Sequence, residues 1–196
     1  MTRDLKFHDQ LSHSKQQANG TKHGFLRSTT NRSADFMRKL LITYIRPILE
    51  FGSSIWNVGY VGDVNRLESV QRDLTKKITG LGDWSYEERL RHLDLYSVQG
   101  RLLRIDLVQC WKLFHDKAPF SPEKLFTLVT RVSRGHSYRI FKERFNTSVR
   151  QRFFTCRIVN EWNSLPAAVV DAPSLDSFKM KLADHLGPKL YEYNDS

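Results

Sequence analysis

The feature that most restricts what this chain can become is a spacing: apolar residues recur three and four apart in segment after segment, the repeat of an amphipathic helix. The broadest case runs from Ser97 to about Phe114, where Leu103, Leu107, Cys110, Trp111 and Phe114 share one face and Leu102, Ile105 and Val108 widen it. So wide an apolar arc predicts the most buried element of the fold. Upstream, Ser33 precedes Phe36, Leu40, Tyr44 and Pro47-Ile48, which predicts a serine-capped helix that ends or kinks near the proline. Val64, Leu67, Val70, Leu74 and Ile78 predict a second helix, charged on its other face and closed by Gly80. Ser85 and Glu88 have the spacing of a capping box that opens a short helix to about His92.

Downstream, Ser121-Pro122 predicts a brief helix to about Val129, and Ser148 to about Asn163 reads as helical again. Ser174 caps a last helix in which Leu175, Phe178, Leu182 and Leu186 line one face before Gly187-Pro188 stops it. Only Arg131 to Phe145 departs from this pattern: Gly135 breaks any helix there, and a short strand or an extended arm should follow. The expected fold class is therefore all-α, with no alternation of strands and helices to suggest a doubly wound sheet. No internal repeat or low-complexity tract is present, and a soft boundary falls near Asp116 to Pro122.

Composition narrows the function classes. With 40% hydrophobic residues over 196 positions, the chain can bury a real core. Lys and Arg outnumber Asp and Glu by 31 to 21, so a positive field should attract polyanions, nucleic acid first among them. The longest apolar runs, such as Leu40-Leu41-Ile42, fall far short of the ~20 residues that cross a bilayer. No apolar leader occupies the first thirty residues, so the expected location is intracellular, nucleus or cytoplasm. Cys110 and Cys156 sit in apolar helical contexts that suit buried thiols better than a disulfide or metal ligands.

Charge is concentrated in residues 131–157, where Arg131, Arg134, Arg139, Lys142, Arg144, Arg150, Arg152 and Arg157 face a single acid, Glu143. Tyr138, Phe141, Phe145, Phe153 and Phe154 are interleaved with them. Such a mixture suits a surface that neutralises phosphates while its rings either pack inward or stack on bases. A solvated basic face over a ring-lined core is the competing explanation. A smaller basic group, Arg72, Lys76 and Lys77, lies on the polar side of the Val64–Ile78 helix. The candidate nucleic-acid contacts are Arg134, His136, Arg139, Lys142, Arg150, Arg152 and Arg157, with Arg72, Lys76 and Lys77 as secondary ones.

Signatures of catalysis are missing. Two-metal enzymes clamp their ions between neighbouring or alternate acids, yet no two aspartates here are adjacent or one residue apart. No phosphate loop or nucleophile elbow occurs, and the histidines His8, His13, His23, His92, His115, His136 and His185 stand in no zinc-binding spacing. A convergent nuclease site would have to assemble His136, Glu143 and Asp171 from distant positions. The expectation is no enzymatic activity, cofactor, metal or small-molecule substrate.

Several strings nevertheless occur in a telling order: LLITYIRPILEFGSSIWN, LESVQRDLTKKITGL, SYEERLRHLDLYSVQGRLLRIDLVQCWKLFH, RGHSYRIFKERFNTSVRQRFFTCRIVNEWNSLPAAVV and APSLDSFKMKLADHL. Their landmarks are Arg46-Pro47-Ile48-Leu49-Glu50 with Trp56, Leu67-Glu68-x-Val70-Gln71-Arg72, Arg134-Gly135-His136 and Trp162-Asn163-Ser164-Leu165-Pro166. The ordered set, from Leu5 to Leu186, resembles the region downstream of the palm in reverse transcriptases of non-LTR (LINE-type, jockey- and CR1-like) retrotransposons.

The resemblance implies that residues 1–80 are a helical, thumb-like region and 81–196 a helical C-terminal extension holding the basic segment. It further implies that the palm aspartates of this RNA-directed DNA polymerase family have no counterpart here. The expected function is then non-specific contact with an RNA or DNA backbone, without base reading. Two alternatives accompany it: an inert relic reading frame of a decayed element, or a protein-interaction module that docks on a separate reverse-transcriptase core.

Overall fold

The computed structural model describes residues 7–57, 59–115, 117–119, 121–129 and 135–193. It is all-α, and among the described residues the only β pairing is an isolated antiparallel bridge between Leu128 and Ile140. Two compact units make up the chain: unit 1 comprises Met1–Leu102 with Lys189–Ser196, and unit 2 comprises Leu103–Pro188. The boundary expected at residue 80 therefore falls inside unit 1, and the one near Asp116–Pro122 inside unit 2.

Unit 1 begins with α1 (His8–Ser28), a helix the apolar pattern does not announce. Its buried positions are Leu11, Ser14, Ala18 and Lys22, so the helical period is present but is carried half by polar side chains. Lys22 stays buried because its ammonium meets Asp73 at 2.5 Å. Ser33 precedes α2 (Ala34–Leu40) as expected. The chain then widens into a π-helical turn, Leu41–Ile45, before α3 (Arg46–Glu50). Pro47 explains the turn, since it has no N–H to donate backward and its ring crowds the preceding carbonyls; an inserted residue relieves both. That insertion rotates the buried face onto Met37, Leu40, Leu41, Ile45 and Leu49 and leaves Tyr44 exposed, against the simple i, i+4, i+8 expectation.

After α4 (Ser53–Trp56) comes α5 (Val61–Lys76), which buries Leu67, Val70 and Leu74 on one stripe. Lys77 is its C-terminal cap; Gly80, at φ 81°, serves the turn that follows rather than closing the helix. The helix α6 (Tyr86–His92) opens with the expected capping box: Glu88 N–H donates to Ser85 Oγ at 3.2 Å, and Ser85 N–H donates to the Glu88 carboxylate at 2.8 Å. The Ser85 side chain and then its backbone N–H, hydrogen-bonded to the Glu88 carboxylate, hold that carboxyl below its usual range.

The longest apolar stripe forms α7 (Val98–Phe114). Its first residues belong to unit 1, where Ser97 ties them to the C-terminal segment. Ser97 N–H donates to Leu190 O at 2.9 Å, and its hydroxyl donates to Glu192 O at 2.6 Å while accepting from Gly100 N–H at 2.9 Å. Gly100 permits this return of the chain: a Cβ there would lie 2.3 Å from Leu190 O.

In unit 2 the helical pattern is more broken than the sequence suggests. Ser121-Pro122 starts only a 3-10 turn, Pro122–Lys124, and Leu128 continues as extended chain paired with Ile140. Residues 148–164 form three short helices, α8 (Ser148–Gln151), α9 (Phe154–Arg157) and α10 (Val159–Ser164). The first break comes where Phe153 turns extended at ψ 148°. The short α11 (Ala167–Val170) precedes α12 (Leu175–Leu186), which Ser174 caps as predicted, its hydroxyl accepting from Ser177 N–H at 3.2 Å. Trp111, Phe114, Trp162 and Phe178 form a stacked aromatic core, with Trp162 fully buried.

Candidate nucleic-acid interface

The sequence landmarks resolve first into buried hubs that hold each unit together. In unit 1, Glu68 and Gln71 are wholly buried and Arg46 nearly so. The Glu68 carboxylate accepts from the Tyr86 hydroxyl, from Val98 N–H at 3.1 Å and from Gln99 N–H at 3.2 Å, so a residue of α5 caps the start of α7. Gln71 donates to Tyr86 Oη and to Tyr96 O, both at 3.0 Å, and Arg46 donates to Gln71 Oε1 at 3.3 Å and Tyr96 O at 2.9 Å. Burial pushes the Glu68 carboxyl up against the pull of these donors. Burial, with the nearby Arg101 charge, pushes the Arg46 guanidinium down to about 10. The charged back face expected for α5 is thus partly an interior polar surface.

In unit 2 the hub is the His136–Trp162–Asn163 group. His136 is 1% exposed, its Nε2 lies 3.0 Å from Trp162 O, and its ring meets the Trp162 ring edge-on. Trp162 Nε1 donates to Tyr138 O at 2.7 Å, while the Asn163 amide both accepts from Ile140 N–H at 2.9 Å and donates to Ile140 O at 2.7 Å. This clamp fastens the irregular 135–141 segment onto α10.

His136 therefore leaves the set of candidate contacts, because a ring sealed in the core cannot reach a phosphate. Burial first, and Arg139 after it, lower its pKa below the usual 6.5. Arg157 leaves it too. Its guanidinium makes a bidentate pair with Asp106, Nε to Oδ2 at 2.9 Å and Nη2 to Oδ1 at 3.0 Å, with both side chains largely buried. The Arg72 guanidinium lies over the Tyr86 and Tyr193 rings, 5.2 and 4.9 Å from their centroids, and serves packing in unit 1. Lys76 and Lys77 are exposed, Lys77 within 3.4 Å of Asp73.

Lys142, Arg144 and Arg150 remain as exposed cations, with Arg139 and Arg152 half-buried nearby in the chain; Arg131 and Arg134 lie outside the described residues. Among the described residues Lys142 and Arg144 form no ion pair, whereas Arg150 lies 3.5 Å from Glu143 in a solvent-exposed contact. Of these cations Arg150 lines a small cleft, together with Phe126, Phe141, Glu143 and Phe145; Lys142 and Arg144 are not among its lining residues. Of the five interleaved rings, Phe141 at 55% and Phe153 at 42% exposure face solvent, while Tyr138, Phe145 and Phe154 are half-buried. A second cationic groove, which nothing in the sequence flagged, runs over α1 past Lys15, Asn19, His23 and Arg66.

Both cysteines are buried and free, as expected. Burial pushes the Cys110 thiol well up, and Asp106 adds to it. Among the described residues, no three His, Cys, Asp or Glu side chains gather closely enough to hold a metal ion, and no helix is long and apolar enough to cross a membrane.

The chain matches no protein-family model, no curated protein and no solved structure.

Proposed function

We propose that this chain binds nucleic-acid backbones without sequence preference and catalyses nothing on its own, as a thumb and C-terminal extension of a non-LTR reverse transcriptase separated from its palm would. The carrying observation is the trio Lys142, Arg144 and Arg150, all exposed within the short segment 142–150 of a chain of net charge +10. Among the described residues Lys142 and Arg144 form no ion pair, so a phosphate can displace counterions there without breaking one. Lys76 and Lys77 on unit 1 and the Lys15–Arg66 groove add weaker positive surface. Phosphate contacts of this kind hold a strand in place but do not distinguish its bases.

Fluorescence anisotropy with labelled RNA and DNA at several salt concentrations tests the reading. Counterion release requires the logarithm of affinity to fall linearly with that of salt, by about 0.7 per phosphate contact on a single strand. A double Lys142→Ala, Arg144→Ala variant should flatten that slope by roughly 1.4. A wild-type affinity insensitive to salt rejects the proposal.

One observation favours a second role beside it. Phe51 and Ile55, one turn apart at α3–α4, are 79% and 70% exposed, which suits docking of unit 1 on a separate reverse-transcriptase core. Co-sedimentation of the chain with such a core, lost on Phe51→Ser with Ile55→Ser, would support that role.

A further inference from the structure

Phosphate binding alone does not account for the two rings that share this surface. A phenylalanine left half in water forgoes about half of the stabilisation its full burial would bring. Unit 2 has a well-formed aromatic core in which to hide its rings, yet Phe141 and Phe153 stand outside it at 55% and 42% exposure. Their positions are held by the fold. Phe141 N–H donates to Thr127 O at 2.8 Å, next to the Leu128–Ile140 bridge, so the pleat that sends Ile140 inward sends Phe141 outward. Phe153 caps α9, and the Arg150 guanidinium lies 5.8 Å from its ring centroid. Arg150 also lines the cleft that Phe141 borders, which links both rings to one cation.

An exposed ring beside a cation is the arrangement that recognises an unpaired base next to its phosphate. In a duplex the base faces are already stacked and hidden; in a single strand they are open, and a phenyl ring, with no polar edge, accepts any of them. Resting on the backbone-binding reading above, we infer that the Phe141–Phe153 surface takes single-stranded nucleic acid, stacking bases on the two rings while Lys142, Arg144 and Arg150 hold the phosphates. The ligand is an unpaired strand of either sugar, since nothing on these side chains reads a 2′-hydroxyl.

Full-length chain is titrated by anisotropy against four labelled probes of equal length: oligouridylate, oligothymidylate, an abasic single strand and a duplex. Oligouridylate and oligothymidylate should bind alike, and more tightly than the abasic strand or the duplex. Phe141→Leu and Phe153→Leu keep an apolar side chain but remove the ring face. Each should weaken binding of the two base-bearing strands by about 5-fold or more, from the usual worth of one stacked base. Neither should change abasic-strand or duplex affinity or the salt slope, and circular dichroism should show both variants folded. Leucine variants that bind like wild type, or a wild type that holds the abasic strand as tightly as oligouridylate, overturn the inference. A steep salt dependence with indifferent rings leaves the backbone reading standing and removes only the stacking. Failure of every probe to bind at low salt removes both.

Discussion

Arg157 offers the sharpest test of the division between cations that build the fold and cations that face solvent. It pairs through two parallel hydrogen bonds with Asp106, whose side chain is 4% exposed against 14% for the arginine. Arg157→Leu leaves the Asp106 carboxylate in a nearly dry setting with its main counter-charge gone. Breaking a buried pair from one side costs about 3–5 kcal/mol. That is a large share of the roughly 5–15 kcal/mol by which whole domains are stable. The double variant Asp106→Leu, Arg157→Leu removes the orphan and should recover most of the loss, giving a coupling energy of about 2 kcal/mol or more. Urea unfolding followed by circular dichroism, and by the fluorescence of the buried Trp111 and Trp162, measures each corner of the cycle. Under folding conditions Arg157→Leu should leave the salt slope of oligonucleotide binding at its wild-type value, unlike Lys142→Ala. A loss below about 1 kcal/mol, or a double variant as damaged as the sum of the singles, refutes the structural role. A lowered salt slope would return Arg157 to the interface.

Two further outcomes probe the hubs. The folded His136 imidazole has its pKa below the unfolded value of 6.5, so its contribution to stability is complete above pH 6.5 and is lost as pH falls through the folded pKa. Urea midpoints of the wild type should therefore drop on acidification more steeply than those of His136→Phe, and parallel pH profiles would count against the buried, neutral ring. Gly100→Ala drives a methyl group to within 2.3 Å of Leu190 O. It should cost about 1–3 kcal/mol and speed hydrogen exchange in residues 189–193, whereas an unchanged exchange pattern would mean the C-terminal segment is not held by this contact.

What could be read before folding follows from how far each signal reaches along the chain. Local signals survived intact: the Ser85–Glu88 box, the Ser174 cap and the α7 stripe each involve residues within a few turns, so propensity and packing agree. Signals failed where a distant partner overrode them. Helix α1 is poor in apolar residues, and Lys22 is buried in it only because Asp73, far along the chain, supplies the counter-charge. The helical expectation from Ser148 to about Asn163 missed the break at Phe153. At the candidate interface, the sequence located the dense basic segment but could not say which cations were spoken for. Asp106, the partner that removes Arg157, lies 51 residues upstream, in the helix read from the sequence for its broad apolar arc. Nor could it divide the rings, because an inward Phe126 and an outward Phe141 differ only in the pairing of residues 127–128 with 139–141.

The strings that gave this chain its resemblance are, in the fold, its buried polar clamps. Arg46, Glu68 and Gln71 meet around Tyr86 and Tyr96, and His136 meets Trp162 and Asn163. Residues of this kind are tightly constrained because each satisfies several hydrogen bonds at once, and losing one strands the rest in a low-dielectric interior. The residues proposed to touch nucleic acid, Phe141, Lys142, Arg144, Arg150 and Phe153, are exposed residues of unit 2 outside its clamp, where folding places few demands on them. Substitutions at the clamps should therefore lower stability and affinity together, while substitutions on the surface should lower affinity alone. A surface variant that unfolds the unit, or a clamp variant that stays folded yet cannot bind, would show that the two layers are not separable in this way.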